Sequence, residues 1–181
     1  MTKSSSPPVT ISVHDYADVP GPLLVLAEAQ ASRIFRHAGL ETIWFACGPR
    51  VEAVESKACY LSDPTHLVLK ILSHAVVKHV RDRNDVLGSA LLDENGIGYN
   101  AYAFYDSVRS LADRRGFSHE LLGVVFAHEI GHLLLGSHSH SVSGVMCARW
   151  QGRELLDISE GTMSFLPAQS RSMRDRLIAL Q

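Results

Sequence analysis

Apolar positions in this chain recur at two different periods, and the switches between them outline its elements. Val9 to Val13 alternates Val, Ile and Val with Thr and Ser, the two-residue period of a strand. After the Pro20-Gly21-Pro22 turn, Leu23, Ala27, Ala31, Ile34, Phe35 and Ala38 recur at spacings of three and four, the stripe of an amphipathic helix. Pro22 is placed to open that helix and Gly39 to stop it. Thr42 to Ala46 is a short apolar strand with two aromatics, and Cys47 to Ser62 reads as loop. His66 to Leu72, with Leu67, Leu69 and Ile71 on one face, is the clearest strand. Arg81 to Asp85 reads as a solvated turn. Leu87 to Leu92 and Asn100 to Tyr105 read as two short strands joined by a glycine-rich link at Asn95 to Gly98.

The second half is helical. Ser107 to Arg115 predicts a helix ending at Gly116. Ser118 is positioned to cap the next one, with Glu120 in its first turn. That helix runs to Leu135 and stops at Gly136. It is apolar nearly all round, from Leu121 to Leu134, as expected of a buried central helix. Met173, Leu177 and Leu180 give the tail from Pro167 to Leu180 a helical spacing. No internal repeat appears. With strands mainly first and long helices last, the expected class is α+β: a single domain over residues 9–181 with helices against one sheet, preceded by a disordered Ser- and Pro-rich lead at residues 1–8.

Composition narrows the function classes. The 181 residues suffice for one domain with a real core. A formal charge of -2 leaves no basic footprint, so no nucleic-acid partner is expected. The longest apolar stretches, Leu67 to Val80 and Leu121 to Leu135, are broken by Lys70, His74, Lys78 or by His128, Glu129 and His132, so no membrane span is expected. Met1 to Thr10 lacks an apolar signal-peptide core. The protein reads as cytoplasmic as written, or as secreted or periplasmic if the start is truncated. Cys47 and Cys59 are spaced to close a small disulfide loop and leave Cys147 over, an odd count that does not decide the compartment.

The chemistry is concentrated in one place. Four of the ten histidines fall between residues 128 and 140. His128-Glu129-Ile130-Gly131-His132 is an H-E-x-x-H motif, and on a helix residues four apart share a face, so two imidazoles can meet one metal ion. Glu129 beside them can take a proton from water at the metal. Burying two imidazoles and a carboxylate on an apolar helix is costly unless something binds them. Catalytic zinc takes three protein ligands and keeps one open position. The third should come from beyond Gly136, and His138 and His140 both qualify by reach. His66, His74 and His79 suggest a second site but fall on positions where surface or capped histidines are commoner. Cys147, next to Met146, reads as a buried thiol rather than a group approaching the metal. Arg149 and Trp150 are candidate substrate wall, with packing an equal reading for Trp150; Tyr99, Tyr102 and Tyr105 read as sheet packing.

The stretch from His128 to Met146 resembles the metzincin clan of zinc peptidases, whose signature is H-E-x-x-H-x-x-G-x-x-H followed by a methionine turn. His128, Glu129, His132 and His138 match that spacing, and Met146 in Ser143-Gly144-Val145-Met146 matches the turn. The family glycine falls on Leu135, whereas here Gly136 comes one residue late. The chain also resembles a group of bacterial metzincin-like proteins with the pattern H-E-x-G-H-L-L-L-G, a short gap, H-S and then G-[IV]-M. Gly136, His140-Ser141, Gly144-Val145-Met146 and Trp150 fit it.

That second resemblance implies His140 as third ligand, with His138 the alternative, and Met146 in a tight turn beneath the metal without binding it. It implies a metzincin-like fold with a mixed twisted sheet, a buried active-site helix and a C-terminal helix. It also implies one catalytic zinc ion, Glu129 as general base and acid, and a peptide or protein substrate paired along an edge strand, with Leu87 to Leu92 the candidate. The expected activity is metalloendopeptidase. The alternatives are a catalytically silent metal-binding module and a zinc amidase acting on a small substrate.

Overall fold

The computed structural model describes residues 6–48, 59, 63–75 and 86–180. Expectations for the start of the lead, most of the 47–62 loop, the 81–85 turn and His79 lie outside the described residues. Five strands form one mixed sheet: β1 (Val9–Asp15), β2 (Thr42–Cys47), β3 (His66–Leu72), β4 (Gly88–Leu91) and β5 (Asn100–Phe104). Five helices accompany them: α1 (Gly21–His37), α2 (Tyr105–Asp113), α3 (Ser118–Leu135), α4 (Gly152–Ser159) and α5 (Pro167–Ala179).

The strand order is β2-β1-β3-β5-β4. The first four run parallel, and β4 lies antiparallel to β5 at the edge. Parallel neighbours need a crossover, which α1 supplies between β1 and β2. Alternation decides the faces. Ile11, Leu69 and Ala103 are fully buried in the core that α1 and α3 share. The intervening positions carry polar groups to the other face. There Ser12 Oγ and His66 Nε2 are 2.5 Å apart, and Lys70 Nζ lies 5.8 Å from the centroid of the Tyr102 ring.

The central helix is α3. Its residues are buried from Leu121 to Gly131, and it touches α1, α2, α4, α5 and three strands. Its closest neighbour is α1, and the approach depends on a missing side chain. A Cβ on Gly123 would lie 2.7 Å from the Ala27 carbonyl oxygen and 2.7 Å from Gln30 Cβ. Small residues at Ala27 and Ala31 complete the close contact. Phe35 on α1 then meets Phe165, with ring centroids 5.4 Å apart.

Several local expectations change. Ser118 does not cap α3: it is the first helical residue, and Phe117 precedes it without a side-chain cap. The helix expected from Ser107 starts two residues earlier, at Tyr105, straight off β5. Tyr105 therefore packs in α2, and Tyr99 is exposed ahead of β5; only Tyr102 belongs to the sheet. Helix α4 was not foreseen. It begins at a glycine, and the Gln151 N–H donates to Glu154 Oε2 at 3.4 Å across its first turn. Cys47 and Cys59 are disulfide-bonded with Cα atoms 5.9 Å apart, and Cys147 is free. Among the described residues no helix is long and apolar enough to cross a membrane.

The close α1–α3 contact yields a stability prediction. Gly123→Ala must push the helices apart at a backbone oxygen that cannot swing away. It should cost about 1–3 kcal/mol, as other overpacked cores do, and thermal unfolding should show a lowered Tm. An unchanged Tm would mean that the contact is not tight.

Candidate metal centre

His128 and His132 sit one turn apart on α3, and the segment after the helix brings His140 to them. One ring nitrogen from each of the three lies within 4.8 Å of the other two. The Nε2 atoms of His128 and His132 are 3.1 Å apart. Two imidazoles on one tetrahedral zinc, with bonds of about 2.0–2.1 Å, have nitrogens about 3.3 Å apart, so this pair already has nearly the required spacing. His138 lines the same cleft outside that triad.

Local backbone explains which histidine returns. Gly136 follows α3 with φ +83°, a conformation suited to glycine, and its N–H closes the last turn on the His132 carbonyl at 2.8 Å. His138 then takes the left-handed conformation, φ +59°. The chain turns back through these two positions, and His140 arrives beside the α3 pair. Its ring centroid lies 4.7 Å from that of His132 and 5.5 Å from that of His128.

Hydrogen bonds orient the first two rings. His128 Nδ1 lies 2.7 Å from the Val145 carbonyl oxygen. A carbonyl only accepts, so Nδ1 carries the proton and Nε2 presents its lone pair. Trp150 Nε1 donates to the same oxygen at 3.3 Å, and its ring stands edge-on to His128 with centroids 5.5 Å apart. His132 Nδ1 is 2.8 Å from Ser139 Oγ. The Ser139 carbonyl in turn accepts from Gln169 Nε2 on α5 at 3.3 Å. The C-terminal helix thereby anchors the segment that delivers the third histidine.

Met146 is fully buried, and its turn is built by backbone bonds. The Cys147 N–H donates to the Gly144 carbonyl, the Ser141 N–H to Met146 and the Val145 N–H to Ser164, all at 2.9–3.0 Å. A Cβ on Gly131 would lie 2.7 Å from Met146 Sδ. The variable position before His132 is thus a glycine because the methionine packs directly on the helix backbone there.

Burial sets the electrostatics. His128 is 9% exposed, and desolvation holds its pKa down to about 4. The bond to Val145 opposes that shift, and His140 adds to it. Desolvation, then His128 and His140, lowers His132 to about 3. Both rings are neutral at pH 7, the form that binds metal. Glu129 is 5% exposed, and burial alone raises its carboxyl to about 8. Its side chain rests against the edge strand, where a Cβ on Gly88 would come 2.6 Å from Cγ and Oε1. Three neutral or neutralisable nitrogen donors in this spacing fit a divalent ion of the zinc type.

The triad lies in a cleft of about 1110 Å³. Gly88, Ser89 and Ala90 of β4 border it, as do Arg149 and Trp150. Cys147 also lines the cleft and is only partly buried, so the expected buried thiol is corrected. His74 Nε2 is 3.3 Å from Ser107 Oγ, and His66 is bonded to Ser12. No second cluster of metal-binding side chains forms among the described residues. Sequence reasoning missed Gly88, Gly131, Ser139 and Gln169. The glycine inside a short strand was a signal of close approach; the bonds of Ser139 and Gln169 span folds of the chain and left none.

Two measurements follow. His140→Ala should lower bound zinc, determined by elemental analysis, well below one per chain, while His138→Ala keeps it; the opposite pattern would reassign the third ligand. The second concerns the metal-free protein and pH. A raised Glu129 pKa contributes stability at low pH that is lost as pH rises from about 4.5 toward 8. The lowered pKa values of His128 and His132 contribute stability above their unfolded value near 6.5, lost as pH falls toward 4 and 3. Between pH 6.5 and 8 the Glu129 contribution falls, joined up to about pH 7 by that of Glu28, whose burial raises its carboxyl to about 7. In chelator-treated protein Tm should therefore fall across that window, and Glu129→Gln should flatten the fall.

No family model matches this sequence, and no curated protein matches it.

Proposed function

We propose that this protein is a zinc-dependent peptidase of metzincin-like architecture, hydrolysing peptide bonds in an extended substrate laid along the cleft. The observation that carries the reading is the placing of Glu129. It shares the α3 face with two of three convergent histidines, is almost fully buried, and opens onto a cleft bordered by an edge strand.

Zinc, when bound, supplies Lewis acidity that polarises a carbonyl and brings the pKa of water toward neutrality. His128, His132 and His140 would hold the ion, the first two oriented by Val145 and Ser139. Glu129 takes the proton of the attacking water and delivers it to the leaving amine. Water oxygen becomes the new acyl oxygen, so the bond broken is C–N and the products are a carboxylate and an amine. Burial raises the Glu129 carboxyl to about 8 in the metal-free protein, and a bound cation beside it would favour the carboxylate that accepts the proton. Gly88 leaves room for the carboxyl at the sheet edge. Among the described residues β4 pairs with β5 on one side only, and an extended backbone can hydrogen-bond along the other. The cleft is larger than most small-molecule pockets, about 300–1,000 Å³, which favours a peptide over a small amide.

Glu129→Gln should reduce cleavage of a peptide library about 10²–10⁴-fold, the usual contribution of a general base, while zinc stays at one per chain. Undiminished cleavage would remove Glu129 from the mechanism. Zinc-loaded wild type that cleaves nothing would instead mark the chain as a metal-binding module without turnover.

A further inference from the structure

The charges lining the cleft are one-sided. Besides the histidines, the lining carries among the described residues two arginines, Arg114 and Arg149, and one carboxylate, Glu129. The whole chain has 17 basic and 19 acidic residues. The cleft is therefore a local concentration of positive charge that overall composition does not explain.

Arg114 ends a helical stripe. Ser107, Ser110, Leu111 and Arg114 follow spacings of three, one and three, sharing one face of α2, and all four line the cleft. Helix α2 packs against α3, where Val125, another lining residue, lies one turn before His128. The stripe thus runs beside the histidine triad and combines apolar surface with a cation at its end.

A basic residue at a helix C-terminus is favourable for the helix dipole alone. That does not account for the partners of this one. Arg109 pairs with Asp106 and Arg153 with Asp157. Arg114 Nη1 donates to Ser110 Oγ at 3.1 Å, and no carboxylate pairs with Arg114 among the described residues. Arg114 is exposed at the cleft border, and its bond to Ser110 uses one of its five donors.

We propose that Arg114 forms a carboxylate-binding subsite, through which the cleft selects substrates carrying a carboxylate close to the scissile bond. This rests on the peptidase reading above. The carboxylate's stem lies against half-buried Leu111, and the guanidinium takes the oxygens in paired hydrogen bonds. An acidic side chain and a free C-terminus offer the same group.

The test uses matched peptides that differ only by Glu against Gln at positions flanking the cleaved bond. A neutral peptide with free or amidated C-terminus separates the two carboxylate sources. Cleavage is read as kcat/KM on zinc-loaded protein, and binding as fluorescence anisotropy on the Glu129→Gln protein. The Glu peptide, or the free C-terminus, should be preferred about tenfold in both assays, as a charge-assisted pair of roughly 1.4 kcal/mol gives. Added salt should shrink the ratio. Arg114→Gln should bring it close to one, whereas Arg115→Gln, an exposed arginine outside the cleft lining, keeps it. Equal handling of Glu and Gln peptides by wild type overturns the subsite, as does a preference that survives Arg114→Gln or disappears only in Arg149→Gln. Selective binding without any cleavage would uphold the subsite and remove the peptidase reading. Cleavage indifferent to charge would do the reverse.

Discussion

Three polar side chains on the most buried helix of the domain are the constraint around which the rest is arranged. Helix α3 contacts four other helices and three strands, so its position is dictated by apolar packing on almost every side. His128, Glu129 and His132 nonetheless lie on it. Leaving such groups in an apolar interior without partners would cost several kcal/mol. The surrounding chain meets that cost locally. A carbonyl from the methionine turn takes the His128 proton, a serine hydroxyl meets His132, and the edge strand gives up a side chain at Gly88 so that Glu129 fits. Each compensation comes from a different part of the sequence, which ties the edge strand, the methionine turn and the C-terminal helix to one helical turn.

Those same compensations divide what was legible in the sequence from what was not. Strand β3 and the C-terminal end of helix α3 stand at the expected boundaries because their signals are local: alternation over seven residues, and an apolar run ended by Gly136. The H-E-x-x-H pair was legible for the same reason, since helical geometry alone places its two histidines together. The choice between His138 and His140 was not local. It depends on how many residues the chain uses to turn, and that depends on the conformations of Gly136 and His138. Helix α4 escaped because its start, Gln151-Gly152, carries none of the usual capping residues. The start of α2 escaped because β5 runs into it with no turn residue between them.

Glycines in this protein act mainly as places where something else must come close. Gly123 admits α1, Gly131 admits Met146, and Gly88 admits Glu129. The three contacts form a chain of dependencies. Gly123 lets α1 seat α3 on the sheet, which sets the height of the helix above β4. That height decides whether the Glu129 carboxyl meets the edge strand at Gly88 or falls short of it. Gly131 fixes the opposite side by letting the methionine turn rest on the helix, and this is what brings the Val145 carbonyl within 2.7 Å of His128.

The third histidine is held less firmly than the other two, and the difference has a physical source. His128 and His132 inherit the rigidity of α3, whereas His140 is exposed and follows two left-handed positions. Its segment is restrained through Ser139, which bonds to His132 on one side and to Gln169 of α5 on the other. Gln169 Oε1 also accepts from the Leu166 N–H at the start of that helix. Fully buried Met173 and Leu177 anchor α5 in the core, so the restraint on the loop is ultimately hydrophobic. A metal ion held by the three histidines would add the missing constraint, since binding His140 to the rigid pair would cost only the ordering of a loop whose neighbours are already fixed. The geometry therefore suits a centre in which two ligands are preorganised and the third closes on the ion.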